Sequence, residues 1–208
     1  MTLDVDRELN SAIEKFCRYR PSHILHHGKE CCTVAYEWFR ALDNSFLVNG
    51  SIYSAPSWIR SRWKWGGVDW PLFWCQIPQL DALDCGALAA LSCEAFRHRG
   101  LSVFSVQLIQ RFSLQDTQHW EKKWLEKGLS SNWIFGSLVY HEACAVLIGA
   151  NRVRVWDPTD NTWLHPSQCG GYATTIAVRF VVEDNLTKVN TLKWEDLTIQ
   201  LNTWRRIC

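Results

Sequence analysis

At 208 residues the chain is long enough for one domain with an ample core, and a single domain over 1–208 is expected. Its 22 basic and 21 acidic side chains leave a net charge of +1, which gives no electrostatic reason to expect nucleic acid or an anionic membrane as partner. With 47% apolar and 21% charged residues it is not a disordered composition, and no stretch approaches the ~18 apolar residues of a membrane span.

The nine cysteines are odd in number and irregularly spaced, without a CxxC pair. Met1–Asn10 carries Asp4, Asp6 and Glu8 and no apolar run of the signal-peptide kind. Free thiols in a reducing, cytoplasmic setting are the expectation.

In chain order, Leu9, Ile13, Phe16 and Cys17 predict a helix over 3–19, closed by Pro21. A second helix is expected over 30–42 with Val34, Trp38 and Leu42 as its apolar stripe. The segment between carries His23, His26 and His27, then Cys31 and Cys32. Adjacent ligands are expected to diverge rather than converge on an ion, so no metal site and no cofactor is assigned. A metal protein using His26, His27, Cys31 and Cys32 stands as a third reading.

Residues 44–78 are expected to be irregular and packed by aromatics, with turns at Asn49-Gly50, Ala55-Pro56 and Gly66-Gly67. Five of the thirteen tryptophans fall here: Trp58, Trp63, Trp65, Trp70 and Trp74. Such a stretch either staples a loop to the core or lines a groove. Trp63, Trp65 and Trp70 are the candidate substrate-binding residues.

The clearest element is a helix opening on Asp84-Cys85-Gly86. Asp84 is a natural N-cap, Leu88, Leu91, Ala95 and Phe96 make the stripe, Arg97-His98-Arg99 suit the C-terminal dipole, and Gly100 ends it. A strand over 101–108 and a helix from Ser113 to Lys127 follow. Strands over 137–148 and 152–156, joined at Gly149-Ala150-Asn151, predict a hairpin, and another strand is expected over 172–182. Residues 1–75 form an N-terminal portion, 76–182 a core and 183–208 an extension. Helices first and strands after predict an α+β class with antiparallel pairing.

Chemistry concentrates at Cys85, His141 and Asp157. Centring the hairpin on Gly149 sets His141 opposite Asp157, with Cβ atoms ~5 Å apart. The carboxylate would then take the imidazole Nδ1–H and leave Nε2 for a nucleophile. A thiol at a helix N-terminus gains thiolate character from the unpaired N–H groups. Gly86 would leave room beside the sulfur, and Gln79, with Gln76 second, could donate to an oxyanion. Cys31 or Cys32 is the second choice of nucleophile, since either also opens a helix.

At Gln79…Asp84-Cys85-Gly86, His141 and Trp156-Asp157-Pro158-Thr159 the chain resembles the papain-like cysteine superfamily in its broad sense. That sense includes transglutaminase-like and bacteriocin-leader-processing peptidases. The resemblance spans about 76–182. It implies a central helix carrying the nucleophile on a small antiparallel sheet, and thioester acyl-enzyme chemistry. Cys85 would be nucleophile, His141 base and acid, Asp157 the orienting residue and Gln79 the oxyanion donor. The expected activity is a dedicated amide hydrolase or acyltransferase acting on a peptide, amide or carrier-bound acyl substrate. A glutamine deamidase or transglutaminase-like protein modifier is the alternative within that chemistry. A non-enzymatic module docking a partner through Trp58–Trp74 is the alternative outside it.

Overall fold

The computed structural model describes residues 2–47, 50–166, 174–182 and 190–207. Helix α1 (Thr2–Phe16) buries Leu9, Ala12 and Phe16, and α2 (Glu30–Ser45) follows from the expected start. The buried face of α2 is Cys32, Ala35, Phe39 and Asp43, one position over from the expected stripe, and Val34 is 61% exposed. Both sets have helical spacing. What decides the phase is Asp43: its carboxylate takes the Trp58 indole N–H at 2.9 Å and the Arg99 Nε–H at 2.8 Å, so this acid turns inward.

The tryptophan-rich stretch is irregular, as expected, with short elements: α3 (Trp58–Arg62), β1 (Lys64–Trp65), a 3-10 helix (Trp74–Gln79) and β2 (Ala82–Leu83). Strands β1 and β2 pair in parallel, Lys64 with Ala82 and Trp65 with Leu83. Trp58, Trp63 and Trp74 sink into one cluster with Phe39, Ile77, Leu83, Leu88 and Leu91. Residues on both sides of position 75 therefore share one core. Each fully buried aliphatic or aromatic side chain there contributes roughly 1.5–3 kcal/mol.

Helix α4 (Cys85–His98) is capped as its sequence predicts: the Asp84 carboxylate accepts from Ala87 N at 2.8 Å. Leu88, Leu91, Ala95 and Phe96 are all fully buried. Gly100 adopts φ +80°, the left-handed conformation that closes a helix. At that end the buried Arg99–Asp43 ion pair ties α4 to α2.

The remaining strands form one nine-stranded sheet. They are β3 (Val103–Arg111), β4 (Ile134–Phe135), β5 (Leu138–Leu147), β6 (Arg152–Asp157), β7 (Thr162–Leu164), β8 (Thr174–Val181), β9 (Thr191–Trp194), β10 (Leu197–Gln200) and β11 (Arg205–Arg206). The main path runs β10-β9-β6-β5-β3-β8-β11, with β4 on β5 and β7 on β6. Pairing is antiparallel throughout except β6–β9. Arg205 Nη1 donates to the Thr198 carbonyl at 2.9 Å, so β11 reaches back toward β10 and the sheet is nearly closed.

The fold is α+β, with a larger sheet than the small one expected. Residues 190–207, expected as an extension, supply strands to it. Positions 172 and 173 of the expected 172–182 strand lie outside the described residues. Alternation along the strands makes two cores. Phe104, Val106, Leu108, Ala143, Ala145, Val153, Val155, Val178, Phe180 and Trp194 form one cluster. Cys144, Val146 and Trp156 turn the other way to meet Cys93 and Phe96 of α4. Helix α5 (Leu114–Glu126), with Ser113 accepting from Asp116 N at 3.1 Å, lies between β3 and β4 in the chain. Among the described residues no helix is long and apolar enough to cross a membrane.

Candidate active site

The turn of the β5–β6 hairpin centres on Ala150, with Ile148 N bonded to the Arg152 carbonyl at 2.8 Å. The register is therefore Cys144 with Trp156 and Ala145 with Val155, two residues away from the expected pairing. His141 and Asp157 are not directly opposed. A two-residue slip preserves the face, however, and the side chains meet on the diagonal: His141 Nε2 lies 2.9 Å from Asp157 Oδ2.

The ring orientation is the reverse of the one expected. Nε2 faces the carboxylate, which leaves Nδ1 as the ring nitrogen free of Asp157, and Cys85 lines the same cavity and interacts with the imidazole. Asp157 is fully buried, and its second oxygen takes the Thr159 N–H at 2.9 Å. The residue thus forms a turn and orients the imidazole at once. Burial pushes the His141 pKa down, but Asp157 and Cys85 outweigh it and hold the imidazolium well above the ordinary histidine range.

Cys85 departs from the low-pKa thiol expected. Burial raises it first. The His141 contact works against that, while Asp84 and Glu142 add to the rise. The Asp84 carboxylate already takes the N–H groups of Gly86 and Ala87, so the helix N-terminus has an anion before the thiol ionises. Trp70 donates its indole N–H to the other Asp84 oxygen at 2.7 Å. Burial pushes Asp84 itself upward.

Gly86 has a different reason from the one expected. A Cβ there would sit 2.2 Å from Ser22 Oγ, so the glycine admits the 20–25 segment rather than opening space at the sulfur. Ser22 in turn donates its N–H and its hydroxyl to Glu142, at 3.0 and 3.2 Å. Tyr140 donates to the same carboxylate at 2.6 Å, and burial raises the Glu142 pKa.

Cys85, His141, Asp84 and Glu142 lie in a cavity of about 760 Å³. Of the three candidate substrate-binding tryptophans, Trp65 and Trp70 line it. Trp63 does not: it is fully buried, with its indole N–H on the Ile77 carbonyl at 3.2 Å. Gln79 does not reach the cavity either. Its exposed amide faces the Cys75 carbonyl at 3.4 Å, and Gln76 Oε1 is spent on the Phe73 N–H. The 3-10 helix turns both amides away from Cys85.

The missed wall comes from the other side. Trp120 and Trp124 of α5, with Trp133, join Trp65 in one aromatic group whose ring centroids lie 5.0–6.5 Å apart. The i, i+4 spacing of Trp120 and Trp124 marks a shared helix face. No local signal says that this face meets Trp65. The Trp133 indole N–H is buried without a hydrogen-bond partner.

The adjacent cysteines do not diverge as expected. Cys31 and Cys32 both approach His27, outside the cavity, and Cys75 joins them. The described cysteines (17, 31, 32, 75, 85, 93 and 144) are all free thiols. No protein-family model and no curated protein matches the sequence.

Proposed function

We propose that the protein is a cysteine-dependent acyl-transfer enzyme, related to the broad papain-like superfamily, in which Cys85 is the nucleophile, His141 the proton carrier and Asp157 the residue that orients it. The observation that carries this reading is the His141–Asp157 contact of 2.9 Å beside Cys85 in one aromatic-walled cavity. Cys85 Sγ adds to an amide or thioester carbonyl as the thiolate of a thiolate–imidazolium pair, with the thiol proton held on His141. The intermediate collapses to a thioester, and the departing amine or thiol takes that proton. An incoming amine or water, deprotonated by His141, then releases the acyl group and restores the thiol.

The walls favour an apolar or aromatic acyl group seated against Trp65, Trp70, Trp120 and Trp133. A dedicated amide hydrolase or acyltransferase fits a cavity of this kind. A second reading has its own support: the raised Cys85 thiol beside two carboxylates is a reluctant nucleophile, as a docking pocket would permit.

The test is incubation with a panel of aromatic and aliphatic acyl thioesters and activated amides, followed by intact-mass and peptide mapping. An acyl adduct on Cys85, absent from Cys85→Ala and slowed in His141→Ala, is expected. No Cys85 adduct anywhere between about pH 6 and 9, with ligands still bound by Cys85→Ala, would place the protein in the docking class.

A further inference from the structure

We propose that His27, Cys31, Cys32 and Cys75 form a tetrahedral zinc site that clips the loop before α2 and the 3-10 helix to the first turn of α2. The four ligand atoms all lie within 4.8 Å of one another. His27 Nε2 is 3.7 Å from Cys31 Sγ, 3.6 Å from Cys32 Sγ and 3.4 Å from Cys75 Sγ. Zinc bonds of ~2.3 Å to sulfur and ~2.0–2.1 Å to nitrogen give a tetrahedron with S···N edges of about 3.6 Å. The observed separations cluster at that length around a single nitrogen.

The ligands come from three pieces of chain that the fold holds together by other means. Leu25 N bonds the Leu72 carbonyl at 2.8 Å, and Trp74 N bonds the Leu25 carbonyl at 3.0 Å, which sets the His27 loop beside Cys75. The His27 ring rests on Phe73 with centroids 5.2 Å apart, and Trp74 packs on Phe39 of α2 at 5.3 Å. His26 is not part of the set, since its ring is used by Thr33 Oγ1 at 3.2 Å and Gly28 N at 3.0 Å.

Packing accounts for Cys32 alone, the one buried member; Cys31 is exposed, and His27 and Cys75 are half-buried. Three thiolates and an imidazole are a soft-to-borderline set suited to zinc and unsuited to magnesium or calcium. Four protein ligands leave no open position, so the role is structural. Binding displaces the thiol protons to solvent. With zinc on Nε2 the imidazole proton sits on Nδ1, so the long 3.3 Å contact from Lys29 N to Nδ1 opens on loading. The clip also bears on the cavity: the loop that carries His27 carries Ser22, seated on Gly86 and bonded to Glu142.

The experiment is metal analysis of the full chain purified under reducing conditions without chelator, paired with cobalt(II) substitution. One zinc per chain is expected, kept through gel filtration, together with the visible and near-ultraviolet bands of a tetrahedral three-thiolate cobalt site. Cys31→Ser and Cys75→Ser should each weaken the thiolate charge-transfer band by about a third and release zinc to a mild chelator. Cys17→Ser and Cys85→Ala should leave both readouts unchanged, which separates this site from the acyl-transfer reading. Should a ligand variant fail to fold, the cobalt spectrum of the unaltered chain decides alone. Reduced protein without stoichiometric zinc or a cobalt spectrum, zinc retained undiminished in both ligand variants, or a disulfide at Cys75 would each overturn the proposal.

Discussion

Two helices in this molecule open on cysteines, and their first turns are built differently. α4 begins after Asp84, whose carboxylate caps the Ala87 N–H. α2 begins after Lys29, which offers no side-chain cap. At α4 the cap places an anion beside the thiol, and burial with Asp84 and Glu142 raises Cys85. At α2, burial likewise raises Cys32, but hydrogen bonds from the His27 and Cys75 backbone and from neighbouring thiols outweigh it and lower the pKa. A cysteine at a helix start is thus not reactive by position. Burial and the charges and donors gathered around the sulfur decide whether the turn stabilises a thiolate.

The sharpest way to break that comparison is to remove the sulfur from each turn. Under the proposed mechanism Cys85→Ala should abolish acyl transfer, a loss of about 10³-fold or more with any donor that forms the Cys85 adduct, in steady-state assays. Cys31→Ser should leave adduct formation at Cys85 in place. An acyl adduct mapped to Cys31 instead of Cys85 in the unaltered chain would move the chemistry to α2.

The next largest effect concerns what joins the two helices. Arg99→Ala leaves the fully buried Asp43 carboxylate with only the Trp58 indole, and should cost about 3–5 kcal/mol in urea unfolding. Asp43→Asn with Arg99→Met, which removes both charges together, should recover most of it. A loss under about 1 kcal/mol for the single change would mean that water reaches the acid.

Gly86→Ala comes third. The added methyl meets Ser22 Oγ and Cβ, so a cost of about 1–3 kcal/mol is expected by thermal or urea unfolding. Ser22→Gly in the same chain should return much of that loss by removing the side chain that clashes. If Gly86→Ala proves neutral, the 20–25 segment yields freely and Ser22 does not hold the wall.

How far these features could be read beforehand follows the range of the forces involved. α4 was legible from its cap, its stripe and its closing glycine, because all three act within one helix. The His141–Asp157 pairing was legible in face but not in register: a turn centred on Ala150 instead of Gly149 shifts the partner by two, and a period of two forgives that. Trp63 and Trp65 are two residues apart with opposite fates, because Trp63 follows α3 into the core while Trp65 enters β1 facing α5. The inward turn of Asp43 was hidden because its partner Arg99 lies at the C-terminal cap of another helix. Cys75 was missed for the same reason, being brought to His27 only through the Leu25 and Phe73 backbone pairing.

The smallest effect tests the electrostatics of α4 most directly. Asp84 combines a cap with a charge, and Asp84→Asn separates them, since asparagine caps about as well as aspartate. An asparagine oxygen turned to Ala87 N leaves its amide facing the Trp70 N–H, two donors in contact, so the change is best made together with Trp70→Phe. In that background Cys85 loses a neighbouring anion and its pKa should fall. Iodoacetamide labelling of the parent should be slow near pH 6 and quicken toward alkaline pH; the variant should label several-fold faster at neutral pH. Stability shifts in a defined sense. The folded-state pKa of Asp84 is raised, so its contribution is full below the unfolded value near 3.8 and is lost as pH rises through the folded one. Above that window the ionised carboxylate costs stability, and the amide variant should be as stable as its Trp70→Phe parent or slightly more so at neutral pH. Unchanged labelling would mean that the charge of Asp84 is not what restrains the thiol, leaving burial and Glu142 to hold Cys85 in its protonated form.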